Sequence, residues 1–231
     1  MSTFAERLQL VLDKIADAAR RGGRSPEEVT LVAVSKRKPA ADLARAVALG
    51  QLALGENYVQ EMLAKQDDPT LAEAPIDWHY IGPLQRNKVR HIVGRVALLH
   101  AVDSSRLVDE IDKRSAAASV RTPLLIQVNL SGEDTKSGCT AEEAEQLVRH
   151  AAQLEHIELR GFMTMPAPSP NPEDARPVFR QLRQLRDDIA GRLPQLSFPD
   201  LSMGMSADFE IAVEEGATLV RVGSLIFGAR D

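Results

Sequence analysis

Lys36 closes a short apolar run, Thr30-Leu-Val-Ala-Val-Ser-Lys36, that reads as a buried parallel strand delivering an amine at its carboxyl end. Near the other end of the chain a matching run, Thr218-Leu-Val-Arg-Val-Gly-Ser224, finishes in a Gly-Ser pair suited to gripping a phosphate. If the two strand ends are neighbours in space, an amine faces an anion site. The ligand such a pair calls for is an aldehyde carrying a phosphate.

Each residue has a plainer reading. A lysine after a strand is most often a solvated cap, but Lys36 sits flush against its apolar run, where partial burial would favour the free amine that Schiff-base chemistry needs. The glycine in Ser202-Met-Gly-Met-Ser206 would by itself only turn the chain. Together with Gly223-Ser224 the segment offers backbone N–H groups and hydroxyls at two adjacent strand ends, which favours phosphate binding through Met203, Gly204, Ser206, Gly223 and Ser224. Arg221 lies two residues before Gly223 and so on the same side of its strand, and an inward arginine needs an acceptor. That acceptor is either a core carboxylate or a ring nitrogen on a ligand. The five histidines, His79 among them, lack metal-ligand spacing, and Cys139, the single cysteine, reads as an unreactive thiol.

Positioning these residues requires a repetitive frame. Strand-like runs recur at 31–35, 52–56, 78–81, 96–102, 124–130, 159–165, 201–203 and 219–222, with helical spacing between them, as in Val178, Leu182, Leu185, Ile189 and Leu193. Eight strand-helix units in 231 residues predict a single (β/α)₈ barrel, a TIM barrel of α/β class, rather than a doubly wound open sheet. Phe4, Leu8, Val11, Leu12, Ile15 and Ala19 share one face of an extra leading helix within residues 1–24, which Gly22-Gly23 ends. Active sites of such barrels gather where strands end. Lys36, Glu56-Asn57, Gly82, Asp103, Asn129 and the two glycine segments all fall at those places. The Pro-rich stretch 166–172 reads as a loop after strand six, and residues 1–231 as one domain.

Composition narrows the function. The chain is 44% hydrophobic and 26% charged, with formal charge −5 and pI near 5.6, which argues against general nucleic-acid binding. No segment approaches the roughly 20 apolar residues that span a bilayer. The amino terminus lacks the apolar core of a signal peptide, and a lone cysteine suits a reducing compartment, so a cytoplasmic protein is expected.

Several motifs in one order carry a resemblance over nearly the whole chain. They are Val34-Ser35-Lys36, Gly55-Glu-Asn-Tyr-Val-Gln-Glu61, Trp78-His-Tyr-Ile-Gly-Pro-Leu-Gln-Arg-Asn-Lys88, Val128-Asn129 with Thr135-Lys136-Ser-Gly138, Ser202-Met-Gly-Met-Ser206, and Arg221-Val-Gly-Ser-Leu-Ile-Phe-Gly-Ala-Arg230. The chain closely resembles the pyridoxal phosphate homeostasis proteins, the YggS/PROSC type, whose barrel is like the amino-terminal domain of alanine racemase. The resemblance implies a monomer that holds pyridoxal 5′-phosphate (PLP) as a Schiff base on Lys36. It implies phosphate contacts from Ser206, Gly223 and Ser224, Arg221 facing the pyridine nitrogen, Asn57 beside the cofactor and His79 in support. The function implied is storing, buffering or handing PLP to apo-enzymes. A PLP-dependent amino-acid racemase is the alternative, and needs a second base on the far ligand face. With the barrel and leading helix consuming the chain, neither Tyr58 nor Tyr80 can be given that role from sequence. A Schiff-base phosphosugar aldolase is the third reading, and needs an acid/base group beside Lys36.

Overall fold

Eight parallel strands close on themselves in the computed structural model, which describes residues 2–131 and 137–228. They are β1 (Thr30–Val34), β2 (Ala53–Glu56), β3 (Asp77–Tyr80), β4 (Leu98–Val102), β5 (Thr122–Gln127), β6 (Ile157–Met163), β7 (Asp200–Met205) and β8 (Leu219–Val222). They pair in chain order, and β8 returns to β1 through Thr30↔Leu219 to Ala33↔Val222. The expected TIM barrel is therefore the observed fold. Of the motif residues, Thr135, Lys136, Ala229 and Arg230 lie outside the described residues.

Strand parity divides the apolar residues into two cores. Leu31, Ala33, Val220 and Val222 point outward and join the main core beneath the helices, whereas Val32, Leu98, Leu125, Met163 and Leu219 form a separate cluster inside the barrel. Near-continuous apolar strands result, because both faces are covered.

The leading helix α1 (Phe4–Arg21) begins at a Thr3/Glu6 capping box, which satisfies two otherwise unpaired backbone donors. It buries Leu8, Val11, Ile15, Ala18 and Ala19, the three larger side chains contributing about 1.5–3 kcal/mol each. Leu12, expected on that face, is instead 38% exposed, since the buried stripe runs through Val11 and Ile15 to Ala18. The helix packs on α7 (Phe209–Glu214) and α8 (Ser224–Phe227). Arg7 Nε donates to Ile226 O at 2.8 Å, Lys14 pairs with Glu210 at 2.8 Å, and Arg24 Nη1 donates to Val213 O and Ala217 O. The start of the chain thus braces the end that carries the glycine-serine segments.

Regular helices follow most strands: α2 (Ala40–Ala48), α3 (Val59–Gln66), α4 (Ser105–Ala118), α5 (Ala141–Ala151) and α6 (Arg176–Arg192). After β3 the chain makes only a 3₁₀ turn, Arg86–His91, anchored by buried Val89 and Ile92. Gly82-Pro83 precedes this turn, and Gly94, at φ 74°, follows it.

Candidate functional site

At the carboxyl ends of the strands a cavity of about 390 Å³ opens to solvent, lined by Lys36, Asn57, Ser206, Arg221, Gly223 and Ser224 among others. Six of the nine residues singled out by sequence therefore meet at one place. Gly204, Met203 and His79 do not line it.

For Met203 the reason is strand parity, and for Gly204 it is a bulge of β7. The ladder passes from Ser202↔Leu219 to Met205↔Arg221, so β7 uses three steps where β8 uses two. Gly204 makes this possible at φ 91°, and a Cβ there would lie 2.5 Å from Ala212 Cβ and 2.9 Å from Phe209 Cα. Parity before the bulge sends Ser202 into the barrel and Met203 outward, where it is fully buried in the core beneath the helices. After the bulge Met205 and Ser206 face the cavity. Gly204 shapes the site through its backbone, and the Met203 side chain is a packing group.

Ser206 and Ser224 lie side by side on the cavity wall. Ser224 Oγ donates to Ser206 Oγ at 3.1 Å, and Gly223 N–H points at the same Ser206 oxygen at 3.4 Å. The donors converge on one spot. Helix α8 spans only four residues, so the donors on this side of the cavity are hydroxyls and backbone N–H groups rather than a helix dipole. Gly223 also lies close to β1, where a Cβ would sit 3.1 Å from Val34 O. This closeness brings the two serines beside the strand that delivers Lys36.

Lys36 is half-buried, and the backbone around it is clamped. Ser35, fully buried, donates its hydroxyl to Glu56 Oε1 at 2.7 Å. Lys65 Nζ donates to Ser35 O at 2.8 Å, to Glu56 Oε1 at 2.6 Å and to Glu61 Oε1 at 2.7 Å. Glu61 in turn accepts the Arg37 backbone N–H, which holds Arg37 in the left-handed region at φ 61°. Burial raises the Glu56 carboxyl above its usual range despite Lys65 and Ser35, and its second oxygen has no partner. Sequence reading missed this cluster: Lys65 looks like an ordinary helix lysine. Its one signal was Glu56 at a strand end.

Gly82 serves a similar close approach, since a Cβ would lie 2.4 Å from Asn57 O. That carbonyl also accepts the Tyr80 hydroxyl at 3.0 Å, and Pro83 O lies within 3.2 Å of the same group. Tyr80 is buried, and burial pushes its hydroxyl up to about 12. Tyr58 is 45% exposed beside the Arg37 guanidinium. Neither tyrosine lines the cavity.

Arg221 is buried inside the barrel and reaches the cavity. Its Nη1 donates to Ser202 Oγ at 2.5 Å and its Nη2 to Thr164 O at 3.0 Å. Among the described residues no carboxylate pairs with it, and burial lowers its pKa to about 10, with distant Asp208 opposing. His79 does not touch the cavity. Its Nδ1 lies 2.9 Å from His100 Nε2, and His100 Nδ1 lies 2.8 Å from Ser202 Oγ. Cys139 is buried against Gln127 O, and burial raises its thiol to about 12, so it stays protonated.

A lysine and two neighbouring serines sharing the mouth of a closed parallel barrel define a class of barrel proteins with a strand-end amine, and comparison with known proteins narrows it. Residues 12–231 match the family model described as alanine racemase, N-terminal domain. The chain is 43% identical over 225 residues to a protein of Aquifex aeolicus named pyridoxal phosphate homeostasis protein, covering 97% of each chain. Among solved structures, PipY of Synechococcus elongatus with PLP bound aligns at TM-score 0.86 and 34% identity, over 98% of this chain and 100% of that one. An alanine racemase of Clostridium difficile 630 shares the fold alone, at TM-score 0.73 and 15% identity, with 57% of its chain covered. The chain belongs to the alanine racemase N-terminal-domain family and, within it, to the pyridoxal phosphate homeostasis proteins.

Proposed function

We propose that the protein binds PLP in the strand-end cavity, with Lys36 as the Schiff-base amine, and acts as a carrier that stores the cofactor and hands it over. The observation that carries this is the convergence of Lys36 with the Ser206, Ser224 and Gly223 donors around one cavity of about 390 Å³. The residues present fit the group. An amine suits an aldehyde, two hydroxyls and an N–H suit a phosphate, and a buried guanidinium without a carboxylate suits a ring acceptor. Relatives of this length carry the homeostasis name, and PipY has been solved with PLP bound.

When bound, PLP supplies an aldehyde open to amines and a ring able to take up electrons. The protein restrains the second property. Arg221 only donates, so it leaves a ring nitrogen unprotonated, whereas a carboxylate there would hold a proton on it. Among the described residues lining the cavity there is no carboxylate, tyrosine or histidine. A racemase needs a base on the face away from Lys36, and an aldolase needs an acid/base group beside it. Lys38 is the one further amine among those residues, and its Nζ donates to Phe227 O at 3.3 Å; the lack there of a carboxylate, tyrosine or histidine favours carriage over turnover.

We further infer a one-domain, monomeric protein of the cytoplasm, meeting apo-PLP enzymes transiently. No described helix is long and apolar enough to cross a membrane. Borohydride reduction of PLP-loaded protein followed by peptide mapping tests the core of the reading. The pyridoxyl label is expected on Lys36 and absent from Lys36→Ala, and loaded wild type should activate an apo-enzyme that its reduced form does not. A label on another lysine with Lys36 unmodified, or equal activation by the reduced form, overturns it.

A further inference from the structure

Arg221, Ser202, His100 and His79 come from four different strands, β8, β7, β4 and β3, and meet in a line across the barrel interior. Their hydrogen bonds can run in only one direction. Guanidinium has no acceptor, so Ser202 Oγ accepts from Arg221 Nη1 at 2.5 Å. The single Ser202 hydrogen is then left for His100 Nδ1 at 2.8 Å. His100 must accept at Nδ1 and carry its proton on Nε2, which donates to His79 Nδ1 at 2.9 Å. His79 is left with its own proton on Nε2. The opposite order would place two donors on Ser202 and strand its hydroxyl hydrogen in the interior, a costly arrangement.

We propose that Ser202, His100 and His79 are positioning residues for Arg221, forming a one-way chain with both histidines neutral in the Nε2–H form. This rests on the reading that Arg221 faces the cofactor's ring nitrogen. The chain does what a carboxylate partner would do for an inward arginine, fixing the guanidinium in place, without placing an anion that would compete for its charge. Thr164 O takes Nη2 at 3.0 Å. With both terminal nitrogens engaged, the group has one orientation, and the N–H groups left over are those available to a ligand in the cavity that Arg221 lines. His79 thus contributes at a distance, although it never reaches the cavity.

Two measurements decide it. In ligand-free wild-type protein, two-bond ¹H–¹⁵N correlation of the imidazoles should show His100 and His79 unprotonated at Nδ1, and a proton on His100 Nδ1 overturns the chain. For binding, PLP is compared with its analogue bearing a ring C–H in place of the pyridine nitrogen. His100→Leu should weaken PLP about tenfold, the worth of one ordinary hydrogen bond, and leave the analogue unchanged. His100→Gln, whose amide can accept from Ser202 and donate to His79, should recover most of the loss. In an Arg221→Gln background His100→Leu should cost nothing further. Equal losses for both ligands, or additive losses in the double variant, would reduce His100 to a packing role. If wild type binds neither ligand, the PLP reading fails, while the imidazole measurement still decides the chain.

Discussion

Two histidines folded neutral inside the barrel should make this protein lose stability as the pH falls from about 6.5 toward 4. His79 is 7% exposed, and burial lowers its pKa from 6.5 to about 4, with Asp77 and Asp200 opposing. His100 is fully buried and is likewise driven well below its ordinary 6.5, first by burial and then by His79 and Arg221. For a base with a depressed folded pKa, the unfolded chain binds a proton that the native state refuses. The stability it contributes is therefore complete above about pH 6.5 and is lost as the pH falls toward 4. At about 1.36 kcal/mol per pKa unit, His79 alone accounts for about 2 kcal/mol lost between pH 7 and 5 and about 3 kcal/mol by pH 4. His100 adds to this in the same direction. Exposed carboxylates with lowered pKa, such as Glu27, Glu28 and Glu173, titrate below about 4.5, whereas Glu56 and Asp208, raised by burial, take up protons in the folded state and oppose the loss, so a variant differing only at His79 isolates its share. Urea unfolding followed by circular dichroism across this range reads the slope directly. His79→Gln keeps an acceptor for His100 but cannot titrate, so its stability should fall about 2 kcal/mol less than that of wild type between pH 7 and 5. Parallel curves for the two proteins would refute a neutral, buried His79.

The remaining predictions concern the two sides of the cavity. Lys65→Met should cost about 3–5 kcal/mol in denaturant unfolding, because Glu56 is fully buried and would lose its countercharge. Adding Glu56→Gln should recover much of it, and a single variant within about 0.5 kcal/mol of wild type would show that the clamp bears no weight. Ser206→Ala with Ser224→Ala should weaken PLP by about a hundredfold or more in a titration, at about 1.5–3 kcal/mol per charged hydrogen bond, and pyridoxal, which has no phosphate, far less. Equal losses would move the phosphate elsewhere.

The mouth of the barrel was legible from sequence for a physical reason. A closed parallel barrel gathers all eight strand ends on one rim, so a residue at the end of an apolar run is near every other such residue, whatever their separation in the chain. Lys36, Asn57, Ser206, Gly223 and Ser224 needed no more than that. The strands themselves announced their positions by apolar runs; β8 begins and ends where expected, and β1 and β3 shift by one residue. The helices were less uniform than their spacing implied, since only a 3₁₀ turn follows β3.

Inside the barrel, proximity along one rim no longer helps, and parity decides. Ser202-Met-Gly-Met-Ser206 reads as one anion-binding loop, yet its first half is strand and its second half follows a bulge. Ordinary parity already sends Met203 into the core, and a positive φ at Gly204 then reverses the alternation, so that Met205 becomes lining. No local pattern announces that reversal, because glycine at a turn and glycine at a bulge look alike in sequence. The clamp of Lys65, Glu56 and Glu61 and the line from Arg221 to His79 share this property: each joins residues whose individual signals are weak and whose pairing exists only once the barrel is closed. His79 shows the difference most clearly. Sequence reading gave it a supporting place near the cofactor; the structure sets it two hydrogen bonds beyond Ser202, where its influence on the cavity can pass only through His100, Ser202 and Arg221. Residue type and place along the chain gather groups at the rim, whereas their orientation is encoded by strand alternation deeper in the barrel, at residues such as Ser202 and His100 that do not line the cavity.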